Sequence, residues 1–212
     1  MKRYALLLPF LLFLSCKEEP KTSETPQYFE GVITFVASIE SKNPMLTPES
    51  MERIQGDTMK FYVRNGDYRI WHNGGDIETM YYDHKSNLLH TLSRGADSAT
   101  ATNCRVRESE VRSFALLEKD TSIAGHSCRC VEMITEDMTK RICYDSTLAV
   151  NPDHFVNHTW DHADIYYSKT RSVFLTYYRE TPVAVIRYDA VKVEPRKLED
   201  TEIKYQHTGK KH

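Results

Sequence analysis

The sequence predicts a mostly β protein of the α+β class, an antiparallel meander with a few helices set against it. Two hairpins and the scarcity of helical spacing carry this reading. The first hairpin turns at Asn65-Gly66, a pair suited to a type I′ turn because both central residues need positive φ. That turn sets Met59, Phe61, Val63, Tyr68 and Ile70 on one face, with Arg64 opposite Asp67. The other face places Tyr62 beside Arg69 and Lys60 beside Trp71, both suited to cation–π contact. A slip of one residue would scramble both faces, so the register is strongly specified. The second hairpin turns at Glu136-Asp137 and sets Cys130 opposite Cys143, Val131 opposite Ile142 and Glu132 opposite Arg141.

The 212-residue chain opens on MKRYALLLPFLLFLSCKEE. Lys2 and Arg3 precede an apolar run, Tyr4 to Leu14, too short to span a bilayer as a helix. Residues 1–15 therefore read as a secretory signal. Ser15-Cys16 resembles the end of a bacterial lipobox, although Phe13 stands where Leu is usual. The resemblance implies cleavage before Cys16 and its acylation, with lipid as the membrane attachment; each buried CH₂ contributes about 0.8 kcal/mol. The alternative is an ordinary signal with a stray cysteine, or an uncleaved anchor. Residues 16–27 are polar and rich in Pro, Ser and Thr, the composition of a flexible tether. Lys17, Glu18 and Glu19 resemble the Lys/acidic export signal of surface lipoproteins. They imply an outer-membrane, lipid-anchored address, with the cell surface favoured over the periplasmic face.

Residues 28–195 are expected to form one β-rich domain. Tyr28 to Ile39 is β-branched and aromatic, a first strand with Gly31 as a possible bulge. Asn43 to Gln55 reads as a short helix with Thr47 as N-cap before Pro48. Beyond the first hairpin, Ile77 to Tyr82 and Leu88 to Leu92 continue the meander, and Ser93 to Thr102 reads as a loop. Arg105 to Leu117 fits either a helix or a strand and loop. Ser122 to Thr135 pairs with Thr139 to Tyr144. Asp153 to Lys169 looks helical, and a last hairpin, Val173 to Tyr178 with Pro182 to Val193, turns around Arg179-Glu180-Thr181. Residues 196–212 are charged and expected to form a flexible tail.

Composition narrows the chemistry. The chain has 28 Lys and Arg against 30 Asp and Glu, and Lys2 and Arg3 leave with the signal, so the mature chain carries a formal charge of −4. Without a basic block, nucleic acid is not an expected partner. Four cysteines remain beside Cys16. In an exported chain they read as two disulfides: Cys130–Cys143 from the hairpin register, and Cys104–Cys128 by elimination. Zinc is the rival, but one residue between Cys128 and Cys130 is too few for paired ligands. His154, His158 and His162 fall at i, i+4 and i+8, one face of a helix, where two could share a metal. No His-Glu-x-x-His accompanies them, so they read as surface histidines and no metal site is expected. No Gly-x-Ser-x-Gly or glycine-rich phosphate loop is present. The expectation is a protein that is not an enzyme and needs no cofactor.

The first strand with Gly31, the Pro/Met-rich helix, MKFYVRNGDYRI, YYDHKSNLLHTL and SIAGHSCRC together resemble exported lipoproteins of Gram-negative bacteria grouped with the LolA/LolB-like lipoprotein carriers. The resemblance spans roughly Phe29 to Val193. It implies a curved, incomplete antiparallel β-barrel wrapped around helices, with an apolar concavity. The carriers bind acyl chains there, so a hydrophobic small molecule or lipid is the expected ligand. The 13 Tyr and 8 Phe suit such a surface. The alternatives are an envelope interaction module without a ligand and, third, a hydrolase.

Overall fold

A computed structural model describes residues 27–205, apart from 48, 51, 52, 54, 55 and 108. The expected signal peptide, Cys16, Lys17, Glu18, Glu19 and the tether to residue 26 lie outside the described residues. So do residues 206–212 and positions 48, 51, 52, 54 and 55 of the helix expected over Asn43 to Gln55.

Among the described residues, eleven strands form one antiparallel sheet. At its centre is β1 (Gly31–Ser41). On one side follow β2 (Thr58–Arg64), β3 (Asp67–His72), β4 (Ile77–Asp83), β5 (Leu88–Ser93) and β6 (Thr100–Asn103), in chain order outward. On the other side, β1 pairs with β11 (Ala184–Pro195), and β10 (Ser172–Glu180), β9 (Thr139–Ala149), β8 (His126–Ile134) and β7 (Ser113–Ile123) continue outward. β6 and β7 are free edges, so the sheet stays open. Among the described residues strand outweighs helix by 53% to 13%, which meets the mostly β expectation.

The sheet curves around an inner segment between β9 and β10. That segment holds two short 3₁₀ turns, Pro152–Phe155 and Trp160–His162, and one helix, α1 (Ala163–Thr170). His158 touches Tyr68 on β3, while Asp161 touches Lys140 on β9. Those strands are five steps apart in the sheet, ~24 Å if it were flat, yet the two inner residues are only three positions apart in the chain, at most ~11 Å. Bending the sheet brings both walls within reach. The core lies on this concave face, from Phe29 through Tyr82, Ile142 and Phe155 to Ala190. A smaller cluster on the other face joins Val32 to Leu198 and Ile203. Among the described residues, the hydrophobic core runs from Phe29 to Ile203, so Leu198 and Ile203 of the expected tail join it.

Both predicted hairpins form in the predicted register. Arg64 pairs with Asp67 and Phe61 with Ile70, around Asn65 and Gly66 at φ 49° and 89°. Lys60 lies 5.6 Å from the Trp71 ring and Arg69 5.2 Å from the Tyr62 ring. Cys130 faces Cys143, and Glu132 faces Arg141.

Five expectations need correction. The β1 register shift falls between Thr34 and Phe35 rather than at Gly31; Gly31 instead lies where a Cβ would collide with the Glu194 carbonyl. Of the two readings of Arg105 to Leu117 the strand holds from Ser113, whereas the strand expected over Ser122 to Thr135 is split by Ala124-Gly125, both at positive φ, which turns β7 into β8. Within the loop expected over 93–102, residues 100–102 already belong to β6. The stretch 153–169 is helical only from Ala163 on; before it lie two 3₁₀ turns, because Asp161 and His162 sit at φ 53° and 62°, a region that ends a right-handed helix. Residues 196–205 of the expected tail are packed: α2 (Asp200–Ile203) has a capping box between Glu199 and Glu202, and Arg64 holds Asp200. No helix among the described residues is long and apolar enough to cross a membrane.

Candidate functional site

Strand alternation directs Met59, Phe61, Tyr68, Ile70 and His72 from one wall, and Ile142, Tyr177, Arg179 and Tyr188 from the other, into a cavity of about 480 Å³. That volume lies within the ~300–1,000 Å³ typical of small-ligand sites. His158, Trp160, Asp161 and α1 form its floor. The wall is a run of rings: Phe61 stacks on Phe174 at 4.9 Å, Tyr68 on Tyr82 at 5.0 Å, and His158 lies 4.1 Å from Tyr82.

One polar network pins the floor to β9 and β10. Lys140 is 1% exposed, yet its ammonium donates to the Asp161 carboxylate at 2.5 Å, the Asp161 carbonyl at 2.7 Å and His162 Nδ1 at 3.2 Å. His162 Nε2 donates to the Ser109 carbonyl at 2.8 Å, so a single neutral tautomer, assigned from this network, serves both partners. The Tyr177 hydroxyl donates to Asp161 at 3.1 Å. Lys140 thus spends three donors on two residues in left-handed conformation, where each non-glycine residue costs ~1–3 kcal/mol unless its surroundings hold it. Burial beside Asp161 pushes the Tyr177 phenol well above its ordinary range.

The three histidines expected on one helix face separate. His158 Nε2 shares a 2.8 Å hydrogen bond with the Tyr68 hydroxyl, and burial lowers its pKa to about 4. His162 belongs to the Lys140 network. His154 lies against His84, with ring centroids 4.5 Å apart, and against Gly66, where any Cβ would overlap its imidazole. They do not converge on one ion. Among the described residues, Asp67, Asp83 and His84 bring potential ligand atoms within 4.8 Å of one another. Their carboxylates already accept from His84, Lys85 and Ser86, as turn caps do.

Cys130 and Cys143 form the expected disulfide. The second expected bridge is not formed: Cys104 and Cys128 are buried free thiols. Each points back to a local carbonyl, Cys104 toward Thr102 and Cys128 toward His126. Burial raises both thiols, Cys104 to about 11.

No family model and no curated protein matches this chain. Among solved structures, PNGF-II in a C2 crystal form matches with a TM-score of 0.47 and 12% identity, over 85% of this chain and 30% of that one. PNGF-II in a P21 form matches with a TM-score of 0.45 and 10% identity, over 83% and 30%. This chain therefore spans less than a third of the length of those proteins. Likeness at this level assigns neither family nor activity.

Sequence reasoning missed four residues that shape the cavity: His72, Lys140, Tyr177 and Arg179. For Lys140 the signal was present, since the β8–β9 register puts it opposite Met133 and on the same side as Ile142. Arg179 was expected in the final turn. It remains in β10 because the turn forms two residues later, where the Thr181 hydroxyl accepts from Ala184 N–H.

Proposed function

We propose that this chain is a lipid-anchored envelope protein, with a LolA/LolB-like half-barrel, that binds a hydrophobic or lipid-like ligand on its concave face. The observation that carries the reading is the aromatic-walled cavity of about 480 Å³ between the curved sheet and the inner segment. Such concave, mostly apolar spaces with a few polar groups are where small ligands bind. The anchor rests on the resemblance at Cys16, and the outer-membrane, surface-facing address on Lys17, Glu18 and Glu19. The absence of recognised catalytic motifs favours binding over turnover.

Native mass spectrometry of the chain starting at Lys17, purified from a bacterial periplasm, tests the ligand. Reproducible adducts of lipid mass are expected, and Ala163→Phe, which fills the cavity floor, should abolish them. Adduct-free protein in repeated preparations would sink the binding reading. For the anchor, radiolabelled palmitate should enter the full chain and not its Cys16→Ala variant. Protease shaving of intact cells should cleave wild type and spare a variant with alanine at 17–19.

A further inference from the structure

The cavity has one end that fills itself and one that does not. Traced through the ladder, Tyr68 is level with Gly31 of β1, His72 with Phe35 and Arg179 with Ile39. His72 and Arg179 thus lie toward the same end, with the Tyr188 ring 6.2 Å from His72 and two positions along β11 from Ile186, the partner of Arg179.

Arg179 is a cation without an acceptor. No carboxylate or carbonyl among the described residues takes a hydrogen bond or ion pair from it, and its Nε is buried and unpartnered. His72 is 8% exposed, and its Nδ1 is also buried without a partner. A buried polar atom left unpaired carries its desolvation cost in full; Arg179 Nε, His72 Nδ1, His158 Nδ1 and the Tyr166 hydroxyl are such atoms on residues lining this cavity, and of the four only Arg179 carries a fixed charge. The remaining charges do not answer them. Asp161 is held by Lys140, and Asp76, at the rim, is exposed and makes no ion pair among the described residues. A guanidinium presents a planar fork of donors that matches a carboxylate or phosphate in bidentate fashion. Burial lowers the pKa of His72, so its ring is a neutral hydrogen-bonding partner at neutral pH and the positive charge of this end is Arg179's. Beyond Arg179 the wall is apolar, through Tyr188, Phe174 and Met59.

We propose that the cavity takes a single-chain amphiphile with an anionic head, the carboxylate or phosphate held by Arg179 and His72 and the chain lying toward His158. This rests on the ligand-binding reading above and adds the chemistry of the head group.

The test uses the chain from Lys17 with Trp71→Phe, so that tryptophan fluorescence reports Trp160 in the cavity floor alone. Dodecanoate, dodecyl phosphate and dodecan-1-ol are titrated separately. The two anions should bind at least tenfold more tightly than the alcohol. A preference for only one of them identifies a fatty acid or a phosphate-headed lipid as the source. Arg179→Gln should reduce the anions to the affinity of the alcohol while leaving alcohol binding unchanged, and Arg179→Lys should keep part of the preference. Because Arg179 has no partner to lose, thermal melts of both variants should match wild type. Equal affinity of wild type for all three ligands overturns the head-group assignment and leaves the cavity reading standing. An undiminished preference in Arg179→Gln overturns the role of Arg179. No binding of any of the three sinks both readings.

Discussion

The two ends of the concave face come from the same strand alternation and are finished in opposite ways. At the Tyr68 end the inner segment fills the space. Phe155 stacks on Tyr167 at 4.0 Å, His158 packs against both Tyr68 and Tyr82, and the Asn65-Gly66 tip closes on His154. At the Arg179 end the rings stand apart, and polar atoms of Arg179 and His72 lack partners. His154 and His158 at the first end also keep a buried Nδ1 without a partner, but those rings are packed over by their neighbours; the unanswered charge lies at the second end, on Arg179. Substitutions should separate along that line, with stability lost at the closed end and ligand lost at the open one.

The largest effect is expected from Phe155→Ala. The ring is 1% exposed, and emptying such a site costs ~3–5 kcal/mol. Urea unfolding should show a midpoint shift of that size, against ~0.5 kcal/mol or less for Arg179→Gln, the range of substitutions that break no partner. Comparable losses for the two variants would dissolve the distinction between the ends.

Acid should attack the closed end first. His158 has a folded pKa of about 4 against an ordinary 6.5, so the unfolded chain takes up its proton first as pH falls. Its contribution is present in full above about pH 6.5 and is lost progressively down to about 4, some ~3 kcal/mol in total. Urea melts at pH 7 and 4.5 should therefore differ by a few kcal/mol in wild type. The difference should shrink in His158→Gln; an unchanged slope would place the acid sensitivity elsewhere.

The same contrast explains what could be read from the sequence. The Asn65-Gly66 hairpin was legible because turn chemistry and alternation agree over a short span. The β8–β9 register was legible because a cysteine pair, an apolar pair and a charge pair all require it. The inner segment was not. Its histidines have helical spacing, but Asp161 and His162 are held out of a helix by Lys140, about twenty residues earlier and on another strand. No local pattern encodes that. Arg179 was misplaced because Arg-Glu-Thr is as polar as a turn, whereas the turn depends on the Thr181 hydroxyl capping the backbone ahead of it. The packed tail had a signal in its Glu199-x-x-Glu202 box, outweighed by its high charge. The cavity's unpartnered atoms were invisible, because a missing partner is a property of the fold and not of the residue.

Between the two ends, the Cys130–Cys143 bridge staples β8 to β9 across a separation of 13 residues. Loops of this size stabilise by ~3 kcal/mol in the chain-entropy model. Replacing both cysteines with alanine should lower stability by about that amount and leave dodecanoate affinity unchanged, since neither cysteine lines the cavity. A loss of affinity with little change in stability would show instead that the hairpin shapes the open end.

The smallest effect is the sharpest test of how the closed end is finished. Tyr68→Phe removes one hydroxyl and no ring, so the ring contacts with Phe61 and Tyr82 survive while His158 Nε2 loses its partner. A net hydrogen bond contributes ~0.5–1.5 kcal/mol, and an orphaned buried acceptor costs ~1–3 kcal/mol; a loss of ~1–2 kcal/mol is expected. Without the hydroxyl, nothing ties the ring's tautomer to Tyr68, while burial, opposed by Asp161 and Asp164, still holds its pKa low. Nuclear magnetic resonance of the His158 ring should then show its tautomer changing at constant pH, while the Arg179 end keeps its preference for anionic heads. If Tyr68→Phe instead weakens dodecanoate binding as much as Arg179→Gln does, the two ends act as one site, and the polar head is shared between them.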